Sequence, residues 1–151
     1  MRPNTDQHNP LVAIKEFADD GKLQIVHAYG NGGFRIAKQP FEGHQLVMMR
    51  QTISWQITSI ADISIDSLQP VIDAQPEIIL FGLGDVATSH LPDIRSALAS
   101  HQIKMDVMNT PAACRTWNVL LTEGRKAAAA LVAIEYRWVI IPYRHCGISR
   151  L

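Results

Sequence analysis

The chain changes rhythm near its middle. Residues 23–29, 33–37, 45–50 and 52–57 are short runs rich in apolar and β-branched side chains and punctuated by glycine or proline, which predicts strands. Gly30, Asn31, Gly32 and Gly33 tolerate the positive φ of a tight turn, so the first connection reads as a hairpin and the whole stretch as an antiparallel meander. Beyond it, Leu68, Val71 and Ile72 have helical spacing, and residues 77–81 form a continuous apolar run ending in glycine. Leu91, Ile94 and Leu98 mark an amphipathic helix with Pro92 in its first turn, and residues 103–108 follow as another strand.

The next helix has its ends written into it. Thr110 is suited to be the N-cap, Pro111 the first helical residue and Gly124 the left-handed stop. Ala113, Trp117, Leu120 and Leu121 fall on one face, while Arg115, Asn118 and Thr122 fall on another. Local propensity would make residues 126–134 helical, because four consecutive alanines favour that state. A helix has just ended, however, and the alternation of strand and helix calls for a strand ending in Leu131, Val132 and Ile134. The fold class is therefore α/β in one domain: an N-terminal extension over 1–22, the domain over 23–134 and a C-terminal tail over 135–151. The tail combines an apolar stretch, Trp138 to Ile141, with Pro142, His145 and Cys146 and has no clear periodicity, so it reads either as an extra strand or as a docking tail, and its removal from residue 136 onward is expected to leave a folded core.

Composition adds exclusions. At 151 residues, 47% hydrophobic and 19% charged, the chain can bury a core without disulfide or metal staples. Its 14 basic and 14 acidic residues cancel and the cations are scattered, so nucleic acid is not an expected partner. Zero net charge also removes the repulsion that would oppose a homo-oligomer or a protein partner. Cys114 and Cys146 lie far apart and outside any CxxC spacing, which points to a reducing compartment. Residues 1–10 lack the apolar stretch of a secretory signal, and no apolar run approaches the roughly 20 residues of a transmembrane helix. A cytoplasmic protein is the expectation.

Four pieces carry a resemblance: Tyr29-Gly30-Asn31-Gly32-Gly33-Phe34-Arg35, the strand and turn running from Pro76 to Gly84, the stretch from Met108 to Thr116, and its continuation from Trp117 to Arg125. In this order they resemble the complex I assembly factor 3 family, a domain family without settled activity in bacteria. The resemblance implies a compact three-layer α/β fold with a mixed central sheet. It also implies work through partner proteins, since the mitochondrial members help assemble respiratory complex I and some bacterial ones are encoded beside membrane protein translocation genes. The family pattern ends near residue 134.

Three candidate sites follow. Gly82-Leu83-Gly84-Asp85-Val86-Ala87 fits a relaxed GxGxxA after a strand, with Asp106 about 20 residues on, as a dinucleotide site requires. Thr88 to Pro92 delay the next helix, so its amides would not face a pyrophosphate, and a plain glycine turn is the favoured reading. Cys114 stands early in a helix beside Arg115, where a thiolate would be stabilised, yet no base is evident and a buried structural thiol is favoured. Arg115, Asn118 and Thr122 read first as a solvated stripe. With Thr110 and unpaired amides, Arg115 could instead hold a carboxylate or other small anion.

His8, His27, His44, His90, His101 and His145 show no HxxxH or HExxH spacing, so neither a metal nor another cofactor is expected. GxSxG and GxxxxGK[ST] are also missing from the sequence. Two readings result. The first is a non-catalytic interaction protein accessory to membrane protein assembly. The second is an anion or small-molecule binder, or an enzyme, with a cleft where 82–85 and 110–115 converge at the carboxyl ends of parallel strands.

Overall fold

The run Ala127–Val132 is buried at all six positions and lies inside a sheet, hydrogen-bonded to a strand on each side, in the computed structural model, which describes residues 22–85 and 91–142. Helix propensity differs by only about 0.7 kcal/mol per residue among ordinary side chains, less than the ladder and burial available on both sides of a central strand. The strand expected there is the strand found.

In chain order the elements are β1 (Val26–Gly30), β2 (Gly33–Ile36), β3 (Gln39–Glu42), β4 (Gln45–Val47), β5 (Thr52–Ser54), α1 (Gln69–Asp73), β6 (Ile78–Leu83), α2 (Pro92–Ser100), β7 (Lys104–Met108), α3 (Thr110–Thr122), β8 (Ala127–Val132) and β9 (Val139–Ile140). They form two sheets, β3-β2-β1-β9 and β5-β4-β8-β6-β7. The central sheet is mixed: β8, β6 and β7 run parallel, while β4 is antiparallel to both β8 and β5.

The expected single meander thus divides. β1, β2 and β3 remain one antiparallel unit, while the chain turns at Gly43 and sends β4 and β5 to the central sheet. β3 was not anticipated because it contains Pro40 and is mostly exposed; proline is tolerated there since β3 is the outer strand of its sheet.

Period-two alternation along the central strands builds the core on both faces. Val47, Leu80, Ala129 and Leu131 meet α3 and the smaller sheet through Ala113, Trp117, Leu121, Phe34 and Ile36. Leu46, Ile79, Phe81, Ala128 and Ala130 meet Leu68, Val71 and Ile72 around α1 and Ile94 and Leu98 of α2. The result is the three-layer arrangement: α3 with the smaller sheet, the central sheet, and then α1 and α2. Within 135–142, β9 pairs with β1, and Ile141 is buried in the first core.

Candidate functional site

α3 begins one residue earlier than its sequence suggested. Asn109, with φ −72° and ψ 162°, is the N-cap, and its Oδ1 accepts from the Ala112 amide at 2.8 Å. Thr110 is therefore not the cap, as expected above, but the first helical residue, and Pro111 is the second. Both Thr and Asn suit a cap, and what separates them here is the fit of the Thr110 hydroxyl between two strand ends. Fully buried, Thr110 Oγ1 accepts from the Gly84 amide at 2.9 Å and donates to the Val132 carbonyl at 2.7 Å. The Thr110 amide donates to the Gly84 carbonyl at 2.8 Å. One threonine thus fastens the ends of β6 and β8 to the start of α3.

The two segments expected to converge, 82–85 and 110–115, do so by direct packing. A Cβ on Gly82 would lie 2.9 Å from Ala113 Cβ and 3.0 Å from Thr110 Cα, so this glycine lets helix and strand touch. Gly84 turns the chain with φ +89°. In the first turn of α3 the Thr110 amide is bonded to Gly84, Pro111 has none, and the Ala112 amide is bonded to Asn109. An anion would have to displace those partners. Among the described residues the next helix after Gly84 is α2, which starts at Pro92, so Gly82 and Gly84 themselves do not open a helix whose amides could cradle a pyrophosphate. Val86, Ala87 and the residues up to His90 lie outside the described residues.

Asp85 is exposed and, with Gly84, Ala133, Ile134, Glu135 and Tyr136, lines an open recess of about 560 Å³. Behind its wall the Ala133 amide donates to His44 Nδ1 at 3.0 Å, tying β8 to the β4 side. The Tyr136 hydroxyl has its pKa raised by burial and, less, by Tyr29 and Asp85, with Arg115 opposing. Tyr136 is 44% exposed, so the environment remains wet.

The remaining candidates separate by burial. Cys114 is buried, and desolvation pushes its thiol pKa far up, outweighing the opposite effect of Arg115. Arg115 is exposed. Asn118 is buried rather than part of a solvated stripe: its Oδ1 accepts from the Val26 amide and its Nδ2 donates to the Val26 carbonyl, both at 2.9 Å. It acts as a substitute peptide group beside β1, where the short β9 has ended. Thr122 Oγ1 turns back to donate to the Asn118 and Val119 carbonyls.

Four large hydrophobic side chains stand out at the surface among the described residues. Val119, Tyr136, Trp138 and Ile140 are exposed large hydrophobic side chains, Ile140 at 72%. Of the two readings of the tail, the extra strand is present as β9, and the spacing of Tyr136, Trp138 and Ile140 is too short a run to have shown it by periodicity.

Comparison with known proteins gives this architecture relatives. NADH dehydrogenase [ubiquinone] 1 alpha subcomplex assembly factor 3 of Danio rerio is 31% identical over 72% of this chain and 63% of its own length, so the match spans less than two thirds of that protein. An uncharacterized protein of Rhodobacter capsulatus is 34% identical over 71% of this chain and 82% of its own length. Among solved structures, a Bartonella henselae protein described as an outer membrane protein matches with a TM-score of 0.69 and 32% identity, over 76% of this chain and 98% of its own. No helix among the described residues is long and apolar enough to cross a membrane. The family model described as protein of unknown function (DUF498/DUF598) matches residues 26–132, and this chain belongs to that family.

Proposed function

We propose that this protein acts by binding partner proteins during the assembly of a multisubunit, membrane-associated complex, and that it works from the cytoplasm without catalysing a reaction. Its similarity to assembly factors supports the general role. The observation that carries the local reading is the division of labour on α3. Thr110, Cys114 and Asn118, which the sequence offered as ligand or nucleophile candidates, are buried, and Thr110 and Asn118 are bonded into the scaffold. Arg115 and Val119 on the same helix, and Tyr136 beside Asp85, face outward. An exposed arginine with aromatic and aliphatic neighbours is the composition of a protein interface core, where Arg and Tyr are enriched as anchors.

Recovery of partners with the tagged chain from its native organism tests this. Reproducible co-purification of a subunit of a respiratory or translocation complex, lost in Arg115→Ala, is the expected result. An unaccompanied chain whose melting temperature rises with one metabolite would support the binder or enzyme reading instead.

A further inference from the structure

A second recess lies at the other end of the central sheet, where β6 and β8 begin and the β4–β5 connection turns back. It has a volume of about 420 Å³. That is within the roughly 300–1,000 Å³ of small-molecule sites. Its apolar lining comes from Met48, Met49, Pro76 and Ala127, of which Met48, Pro76 and Ala127 are buried, while the exposed Arg50 and Lys126 also border it. Both faces of the sheet surface here, since Met48 belongs to the core under α1 and α2 and Ala127 to the core under α3.

The chemistry is two-part. Methionine side chains adapt to a flexible aliphatic guest better than branched ones do. Arginine and lysine lay their stems along apolar surface while holding charge in water, so they favour an anionic head at the mouth. At the same end Glu77 bonds by its amide to the Lys126 carbonyl and by its carbonyl to the Lys104 amide, which sets two lysines and one carboxylate-bearing residue along the start of the strands. We propose that this recess binds the carboxylate of a single-chain amphiphile, with its tail against Met48, Met49, Pro76 and Ala127 and its head toward Arg50 and Lys126. The inference is independent of the partner-binding surface, which lies at the opposite end of the sheet.

The test is calorimetric titration of the full chain with dodecanoate below its micellar concentration. One saturable site is expected, and affinity should fall about fourfold per methylene removed, so that decanoate binds roughly 15-fold more weakly. Dodecanol and dodecylammonium should bind at least about tenfold more weakly than dodecanoate. Lys126→Glu, at an exposed position, should weaken dodecanoate by about tenfold or more at an unchanged melting temperature. Absence of saturable heat, equal binding of dodecylammonium, or an unaffected Lys126→Glu variant would overturn the proposal. So would a dimer, seen by light scattering, that Lys126→Glu dissociates and dodecanoate does not, because the recess would then be a contact between copies.

Discussion

Replacing Thr110 by valine removes one hydroxyl while keeping the side chain's shape. The structure assigns that hydroxyl two bonds, from the Gly84 amide at 2.9 Å and to the Val132 carbonyl at 2.7 Å. Valine leaves a donor and an acceptor unpaired beside a fully buried residue, and a buried polar group without a partner costs about 1–3 kcal/mol. Because the Gly84 end is only partly buried, the expected total for Thr110→Val is about 2–4 kcal/mol. For a chain of this size that lowers the melting temperature by roughly 4–16 °C. Thr110→Ser keeps both bonds and should recover most of the loss. Asn109→Ala removes only the cap and should cost about 1 kcal/mol. Urea unfolding with calorimetric melting measures all three variants. A Thr110→Val protein no less stable than Asn109→Ala would refute the bridging role and return Thr110 to the status of an ordinary first-turn residue.

Three further outcomes follow from the same packing. Trp117→Ala should cost about 3–5 kcal/mol by urea unfolding, since it empties a buried volume and orphans the Gln24 carbonyl that the indole Nε1 bonds at 2.8 Å. Cys114 should resist iodoacetamide in the native protein and react only after unfolding, as read by peptide mass; labelling of the folded chain would show that its burial is not maintained in solution. Deleting 136–151 should leave cooperative unfolding but lower stability by about 2–4 kcal/mol, because Ile141 is buried in the core and the Tyr136 carbonyl accepts from the Asn31 amide. Loss of the cooperative transition would show that β9 is essential to the domain.

Much of the fold could be read because its signals are local. The strand at Ala127–Val132 followed from the alternation of elements even against alanine's preference, and the α2 boundary at Pro92 followed from proline's missing donor. What escaped depended on distant pairing. The two-sheet division rests on β4 meeting β8 and β1 meeting β9, contacts between residues far apart in the chain that no hairpin signal encodes. Asn118 shows the same limit at a single residue. A helical wheel placed it with Arg115 and Thr122, but its burial depends on Val26, which leaves one amide and one carbonyl to be satisfied beside it. The cap moved by one residue because Asn109 and Thr110 are both good capping residues, and the choice was made by Gly84 and Val132.

The buried polar residues of α3 hold the scaffold, and under the proposed function Arg115 and Tyr136 face a partner. The most direct measurement pairs thermal melting with quantitative partner recovery for the double variant Arg115→Ala, Tyr136→Ser. Both residues are exposed, so the melting temperature should stay within a few degrees of the parent protein. If they anchor an interface, recovery should fall by roughly 30-fold, the equivalent of about 2 kcal/mol for an interface hot spot. A stably folded double variant that recovers its partner undiminished would contradict the account.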